Sequence, residues 1–355
     1  MKILDENVWL NFRDVLKEKY KINSLAFIDL KSSAFTLFSS NLKKKYLKAL
    51  PHIPEYIKKS LDERVAPVEK FPWAESVLIA AVPFSNIPKY EPFISEATGS
   101  DALFGLIAPY ATRLDYHLFA KQLLNNIIED FKNLSHDKSI ENLQSFKYEP
   151  CVDTKPIAEK ALASYSNVGQ FGKNQLIQTQ NFSSDTFLIE LFTNVKIPDI
   201  KEKSFFLKCN SCDKCSLSCP SGALHNYEFD YTRCISAITM EKRGILSPKE
   251  RKLIAPWIFG CNICSSACPG SPVDEPFKAD LRWLLTSSAS DVKHHIIGTP
   301  LNYAGVTLLR RNALAVLESI GTSDAFDLIQ FFSEKTQSSV LKISAEEILH
   351  KKQSS

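Results

Sequence analysis

Eight of the nine cysteines in this 355-residue chain fall between Cys209 and Cys268, and their spacing limits what the chain can be. The first group reads Cys209-Asn-Ser-Cys212-Asp-Lys-Cys215-Ser-Leu-Ser-Cys219-Pro220, and the second Cys261-Asn-Ile-Cys264-Ser-Ser-Ala-Cys268-Pro269. Cys234 stands between them in Thr232-Arg-Cys-Ile-Ser236. Such crowding marks metal ligands in a reducing compartment and a disulfide framework in an oxidising one. The amino terminus favours the first. Met1-Lys-Ile-Leu-Asp-Glu carries acids where a secretory leader needs positive charge, and no long apolar run follows. The most apolar stretch, 76–84, has the length of a buried strand and is too short to cross a bilayer. The expectation is a cytosolic (cytoplasmic) protein with no membrane association.

The first group has the C-x2-C-x2-C-x3-C-P spacing of bacterial two-cluster ferredoxins. Three closely spaced thiolates in a turning loop cap three irons of one cube, and the fourth, held before a proline, reaches the other cube. By that rule Cys209, Cys212 and Cys215 take Cys268 as their fourth ligand. The second cube has Cys219, Cys261 and Cys264 and lacks one, and Cys234 completes it. Zinc is the rival, since C-x2-C pairs also build tetrahedral thiolate sites, but a zinc ribbon needs neither the third cysteine nor the repeated Cys-Pro ending. The expectation is two [4Fe–4S] clusters, with Cys151 a buried small hydrophobe outside the set.

Two clusters in series conduct electrons without naming a reaction, so the rest of the chain must supply the chemistry. Segments 6–20 and 117–133 carry apolar residues at three- and four-residue spacing and predict amphipathic helices. Segments 24–30, 76–84 and 186–193 predict strands. The fold class is α+β, with an amino-terminal α/β domain over 1–200, a two-cluster ferredoxin-like domain over 201–275 and a helical tail over 276–355. In the tail Leu309, Ala313, Val316 and Ile320 share one face, and a Thr-Ser-Asp start signal after Gly321 opens a helix through Phe332. A third helix is expected from about Ser339 to His350, as in a small helical-repeat module. Gly169 and Gly172, in Val168-Gly-Gln-Phe-Gly-Lys-Asn174, lack the third glycine of a dinucleotide fingerprint and read as a tight turn.

With these residues in view the chain resembles the tRNA epoxyqueuosine reductase family, corrinoid-dependent iron–sulfur enzymes of queuosine synthesis. Val152-Asp-Thr-Lys-Pro156 with Glu159-Lys-Ala161 is similar to the family's Val-Asp-Thr-x-Pro loop and helix. Gly169-Gln-Phe-Gly-Lys-Asn174 is similar to its Gly-Trp-x-Gly-Lys-Asn turn, and Tyr110-Ala-Thr-Arg-Leu-Asp-Tyr-His117 to its Tyr-Ala-x-Gly-x-Asp-Tyr-His stretch. The cysteine arrangement matches, and Leu309 to Leu314 resembles the family's carboxy-terminal (HEAT-like) repeats. Gln170, Arg113, Gly270 and Ile189 depart from the family pattern.

The resemblance implies a two-electron reduction of an epoxide on the tRNA wobble base to an alkene and water. Cobalt in a base-off cobalamin would be the nucleophile, with the clusters supplying electrons one at a time. It makes Asp153 the acid that protonates the oxygen, in a pocket that must raise its proton affinity; without the resemblance Asp153 reads as a helix N-cap ahead of Pro156. The corrinoid pocket is expected at Arg64, Tyr110, Arg113, His117, Asp153, Gly169, Gly172, Lys173 and Asn174. His295-Ile-Ile-Gly298 approaches a cobalt-ligating motif, but Lys293 replaces its aspartate, so it reads as an accident at a helix end.

The partners implied are a tRNA with a queuosine-modified anticodon and an external electron donor such as a flavodoxin or ferredoxin, acting on a monomer. The net charge of +3 marks no overall nucleic-acid binder. Phosphate contacts are therefore expected locally, at Lys242, Arg243, Arg310 and Arg311. Two rivals remain open: a corrinoid reductase of small molecules resembling reductive dehalogenases, and a non-catalytic two-cluster carrier.

Overall fold

The structure, a computed structural model, describes residues 6–49, 53, 55–90, 94–99, 103–136, 146–180, 184–207, 209, 211–225, 228–271 and 274–353. Its first layer is a four-stranded antiparallel sheet in the order Ser24–Asp29, Ser76–Pro83, Thr186–Thr193, Tyr148–Cys151. Ser76–Pro83 is buried along its whole length, because an apolar run without alternation has no face to give to water. One side of the sheet packs Phe27, Leu78 and Ile189 against Trp9, Phe12 and Leu16 of the helix Glu6–Tyr20, and against Leu124, Ile127 and Phe131 of the helix Tyr116–His136. The other side packs Ile28, Ile79 and Phe192 against Phe35, Phe71 and Leu162 of the helix Glu159–Tyr165. Helices on both faces of a sheet make the mixed fold expected.

A second sheet interlocks the sequence segments. Its order is Trp257–Phe259, Phe104–Ile107, Phe277–Asp280, so a strand from the amino-terminal part pairs with strands on either side of the second cysteine group. Boundaries at 200 and 275 therefore do not mark where the packing divides. Gly105 allows this: a Cβ there would stand 2.5 Å from Ile258 Cγ2.

Beyond that sheet come five helices, Leu281–Thr286, Ala289–Ile296, Leu301–Ile320, Ser323–Lys335 and Ser339–Gln353. Gly321, at φ +72°, closes the third, and the Thr322 hydroxyl caps the fourth by accepting from Ala325 N. Leu309, Ala313 and Val316 are buried in one core with the second sheet, while Ile320 turns toward solvent. Among the described residues no helix is long and apolar enough to cross a membrane.

Candidate redox and proton-transfer site

The cysteines sit where short helices meet turns. Cys215 lies in the helix Lys214–Ser218 and Cys219 ends it; Cys234 precedes the helix Ile235–Met240; Cys264 lies in the helix Ile263–Ser266. Burial pushes the thiols of Cys261 and Cys264 up to about 12, and the neighbouring Cys219 and Cys234 add to the shift. Burial also raises Cys215, with Cys268 among its charged neighbours. The structure thus brings Cys219, Cys234, Cys261 and Cys264 into one neighbourhood and sets Cys215 beside Cys268. At Cys219 burial acts upward, but the Ser221 hydroxyl and the amides of Ala223, Ser221 and Leu224 outweigh it and lower the thiol. Amides aimed at sulfur stabilise thiolate and tune a cluster's potential.

Among the described residues no three His, Cys, Asp or Glu side chains converge on a point that suits a single metal ion.

The turn at Gly169 holds these loops from below. Gln170–Phe171 and Ile177–Gln178 pair as a short hairpin. Lys173 and Asn174, expected at the corrinoid, are buried under the cysteine loops. Lys173 Nζ pairs with Asp213 at 2.7 Å, Asn174 Nδ2 reaches Cys264 O at 3.5 Å, and Cys268 Sγ reaches Gln178 Oε1 at 3.5 Å. Neither Gly169 nor Gly172 has a left-handed backbone. Space is what requires them: a Cβ on Gly169 would lie 2.2 Å from Ile177 Cγ2, and one on Gly172 would lie 2.7 Å from Asn174 Oδ1. The tight turn itself is present, closed by Gln175 N donating to Gly172 O at 3.0 Å, and only the reason for its glycines differs.

Asp153 faces these loops from the other side. It is exposed and sits at φ +46°, a left-handed conformation that few non-glycine residues adopt and that costs on the order of 1 kcal/mol. Two contacts hold it: Tyr116 Oη donates to Asp153 Oδ2 at 2.8 Å, and Asp153 N donates to Glu159 Oε1 at 2.6 Å. Ala158 is the N-cap of the helix that follows, so the N-cap reading of Asp153 is wrong. Lys160 is exposed as a residue and donates from Nζ to Gln175 O at 3.1 Å. Burial of its ammonium lowers its proton affinity, against the charges of Asp153 and Glu159 on one side and of Cys264 and Cys234 on the other. Lys160 therefore marks a junction between the Asp153 loop and the cysteine loops.

The rest of the predicted pocket is mixed. Tyr110 donates to Met240 Sδ at 3.0 Å beside the second cysteine group, and burial raises its phenol. His117 stacks on Tyr116, and its Nδ1 lies 2.7 Å from Asp115 Oδ1; burial pulls its proton affinity down, but Asp115 outweighs this and the net shift is upward. Arg113 donates to Ile87 O at 2.8 Å and pairs with Asp274 at 3.4 Å. Arg64 donates to Ser60 Oγ, while its carbonyl accepts from Ala158 N at the start of the helix after Asp153. His295 is half-buried with Nδ1 2.8 Å from Asp291 O.

Two predicted phosphate contacts are corrected. Arg311 is 2% exposed and donates to the carbonyls of Lys242, Gly244 and Ile238 and to Asn312 Oδ1. Arg310 donates to the carbonyls of Leu284 and Ser287 and lies over the Phe332 ring. Both are structural clamps. Lys242 and Arg243 are exposed, the first paired with Glu250 and the second over the Tyr303 ring. Next to them stands a group the sequence did not single out. Tyr303 and Tyr56 are each 56% exposed, Tyr303 Oη donates to Glu241 Oε2 at 2.7 Å, and burial first and the charge of Glu241 second raise Tyr56 and Tyr231.

Comparison with known proteins matches two parts of the chain to family models: residues 64–154 to "Epoxyqueuosine reductase QueG, DUF1730" and residues 208–271 to "4Fe-4S double cluster binding domain". The chain is 30% identical over 233 residues to the epoxyqueuosine reductase of Synechocystis sp., covering 61% of this chain and 77% of that protein. It is 27% identical over 283 residues to that of Bacillus subtilis, covering 76% and 69%. Its fold superposes with a TM-score of 0.78 and 24% identity on a crystal structure of epoxyqueuosine reductase with a tRNA-Tyr epoxyqueuosine-modified stem loop, covering 96% of this chain and 90% of that one.

Proposed function

The chain belongs to the epoxyqueuosine reductase family, and from that premise we propose that it reduces epoxyqueuosine to queuosine in the tRNA anticodon at the junction between Asp153 and the cysteine loops. It is an oxidoreductase with a double 4Fe–4S domain. The observation that carries the reading is Lys160, which shares its surroundings with Asp153 and Glu159 on one side and with Cys234 and Cys264 on the other. The acid and the nearer cluster therefore border one space.

A base-off cobalamin fits that space by the chemistry of the groups around it. Tyr116, Asp153 and Lys160 offer polar contacts, and Tyr110 and the second cysteine group lie close behind. His117 is engaged by Asp115, its Nδ1 2.7 Å from Asp115 Oδ1. When bound, the corrinoid supplies a nucleophile for the epoxide carbon. The protein's own residues do the rest. Asp153 protonates the oxygen as its bond to carbon breaks, and Tyr116 fixes the carboxyl that does so. Cys219, Cys234, Cys261 and Cys264 hold the nearer cluster, and Cys209, Cys212, Cys215 and Cys268 the farther one, which an external flavodoxin or ferredoxin charges.

For the tRNA, Tyr56, Tyr231 and Tyr303 offer ring faces for bases, Glu241 accepts from a base N–H, and Lys242 and Arg243 serve phosphates. The catalytic part comes mainly from residues 1–200, the clusters from 201–275, and 276–355 form a HEAT-like tail, the protein acting as a monomer. The test is Asp153→Asn. It should keep both clusters, corrinoid and stem–loop affinity while single-turnover reduction falls roughly a hundredfold or more, the usual weight of a general acid. Reduction at the wild-type rate removes Asp153 from the mechanism.

A further inference from the structure

Glu190 is a charged residue in the middle of a buried strand. It lies opposite Ile79 on one neighbouring strand and Cys151 on the other, and is 0% exposed. Among the described residues neither of its carboxyl oxygens has a hydrogen-bond donor. What faces it is the carboxyl of Glu159. A buried carboxylate with no donor and a second carboxyl against it is far costlier than the same pair sharing a proton. Glu159 in turn accepts from the backbone N–H of Asp153, so the pair is joined to the loop that carries the acid.

Resting on the reductase reading, we propose that Glu190 and Glu159 are an internal proton store that recharges Asp153 within a single turnover. The stoichiometry asks for one. Reducing an epoxide to an alkene and water consumes two electrons and two protons. The oxygen leaves the first carbon as a hydroxyl and the second as water, and each departure takes one proton. The electrons arrive through the clusters from the one-electron donor. One carboxyl delivers one proton at a time, so a second must reach Asp153 while tRNA and cofactor cover it. Glu190 gives its shared proton to Glu159, Glu159 passes it to Asp153, and the pair is refilled from water after release.

The groups around the store are few. Asp153 and the Cys151 thiol face Glu190. Asp153, Lys160, Tyr116 and His117 face Glu159. Burial first and the charge of Asp153 second raise Glu159 to about 7, against the hydrogen bond to Glu190, which lowers it; burial and then the charge of Glu159 hold Glu190 well above the ordinary carboxylate range.

The first test needs neither corrinoid nor turnover. Infrared spectra of the corrinoid-free protein at neutral pH should show the C=O stretch of a protonated carboxyl, lost in both Glu190→Gln and Glu159→Gln. Absence of that band in the wild type overturns the proposal. The second is single turnover on an epoxyqueuosine stem–loop. Glu190→Gln should bind the stem–loop within twofold of wild type yet react at least tenfold more slowly above neutrality, with the deficit shrinking as acid is added. An unchanged rate, or a deficit equal at every pH as for simple misfolding, overturns it. If the wild type itself leaves the epoxide intact, the reductase reading fails while the carboxyl band still decides whether the store exists.

Discussion

Folding raises the proton affinity of Glu159 from 4.5 to about 7, through burial first and the charge of Asp153 second. A carboxyl raised in this way stabilises the fold fully below its unfolded value, and that contribution is lost as pH climbs through the folded one. Glu190 shifts in the same direction. Wild-type protein should therefore lose thermal stability between about pH 5 and pH 8 more steeply than Glu159→Gln, measured by calorimetry across that range. Parallel curves would contradict the assignment. Cys234 makes a sharper test of the ligand sets: Cys234→Ser should lose roughly half of the bound iron, since one cube of two goes unligated, and iron analysis reads it directly. At this scale the cysteines were legible because metal ligation forces spacing on a sequence. Glu190 left a signal too, an acid inside the apolar run Thr186–Thr193, which shows only once the strand is seen to be covered on both faces. Glu241 and Tyr303 left none, because they meet across 62 positions of sequence.

Among elements, the strands Ser24–Asp29, Ser76–Pro83 and Thr186–Thr193 and the helix Glu6–Tyr20 follow the apolar pattern within a residue or so. Local periodicity was enough, since each buries the face its sequence presents. Pairings were not legible in this way. Phe104–Ile107 is a four-residue strand whose partners lie more than 150 positions on, and only tertiary packing selects them. The hairpin at Gly169 shows the same limit: its glycines are required by the nearness of Ile177 and Asn174 and not by backbone angle. Gly169→Ala should cost about 1–3 kcal/mol in urea unfolding, the usual range for overpacking, and loosen the seat of Asn174 under Cys264. An unchanged midpoint would mean that the hairpin shifts freely and does not brace the cysteine loops.

For the whole molecule, the tail is bolted to the cluster region by buried polar groups. Asn312 donates to the carbonyls of Thr239 and Ile258, and Arg251 joins Glu318 and Glu347 from two tail helices. Asn312→Ala leaves two buried carbonyls without donors, at about 1–3 kcal/mol each, so it should lower stability without changing stem–loop affinity. A selective loss of tRNA binding in a fully stable variant would instead return this helix to the RNA interface. The sequence marked the neighbouring arginines for RNA because basic pairs look alike on paper, and only burial separates a clamp from a contact. Such bolts hold the tail helices and the cluster region in one frame. The most direct test is anaerobic reconstitution of both clusters, with and without cobalamin, followed by mass spectrometry of an epoxyqueuosine stem–loop after reduction. The account predicts conversion to queuosine only where cobalamin is present. Fully clustered protein that takes up no corrinoid, or converts nothing after doing so, would contradict it.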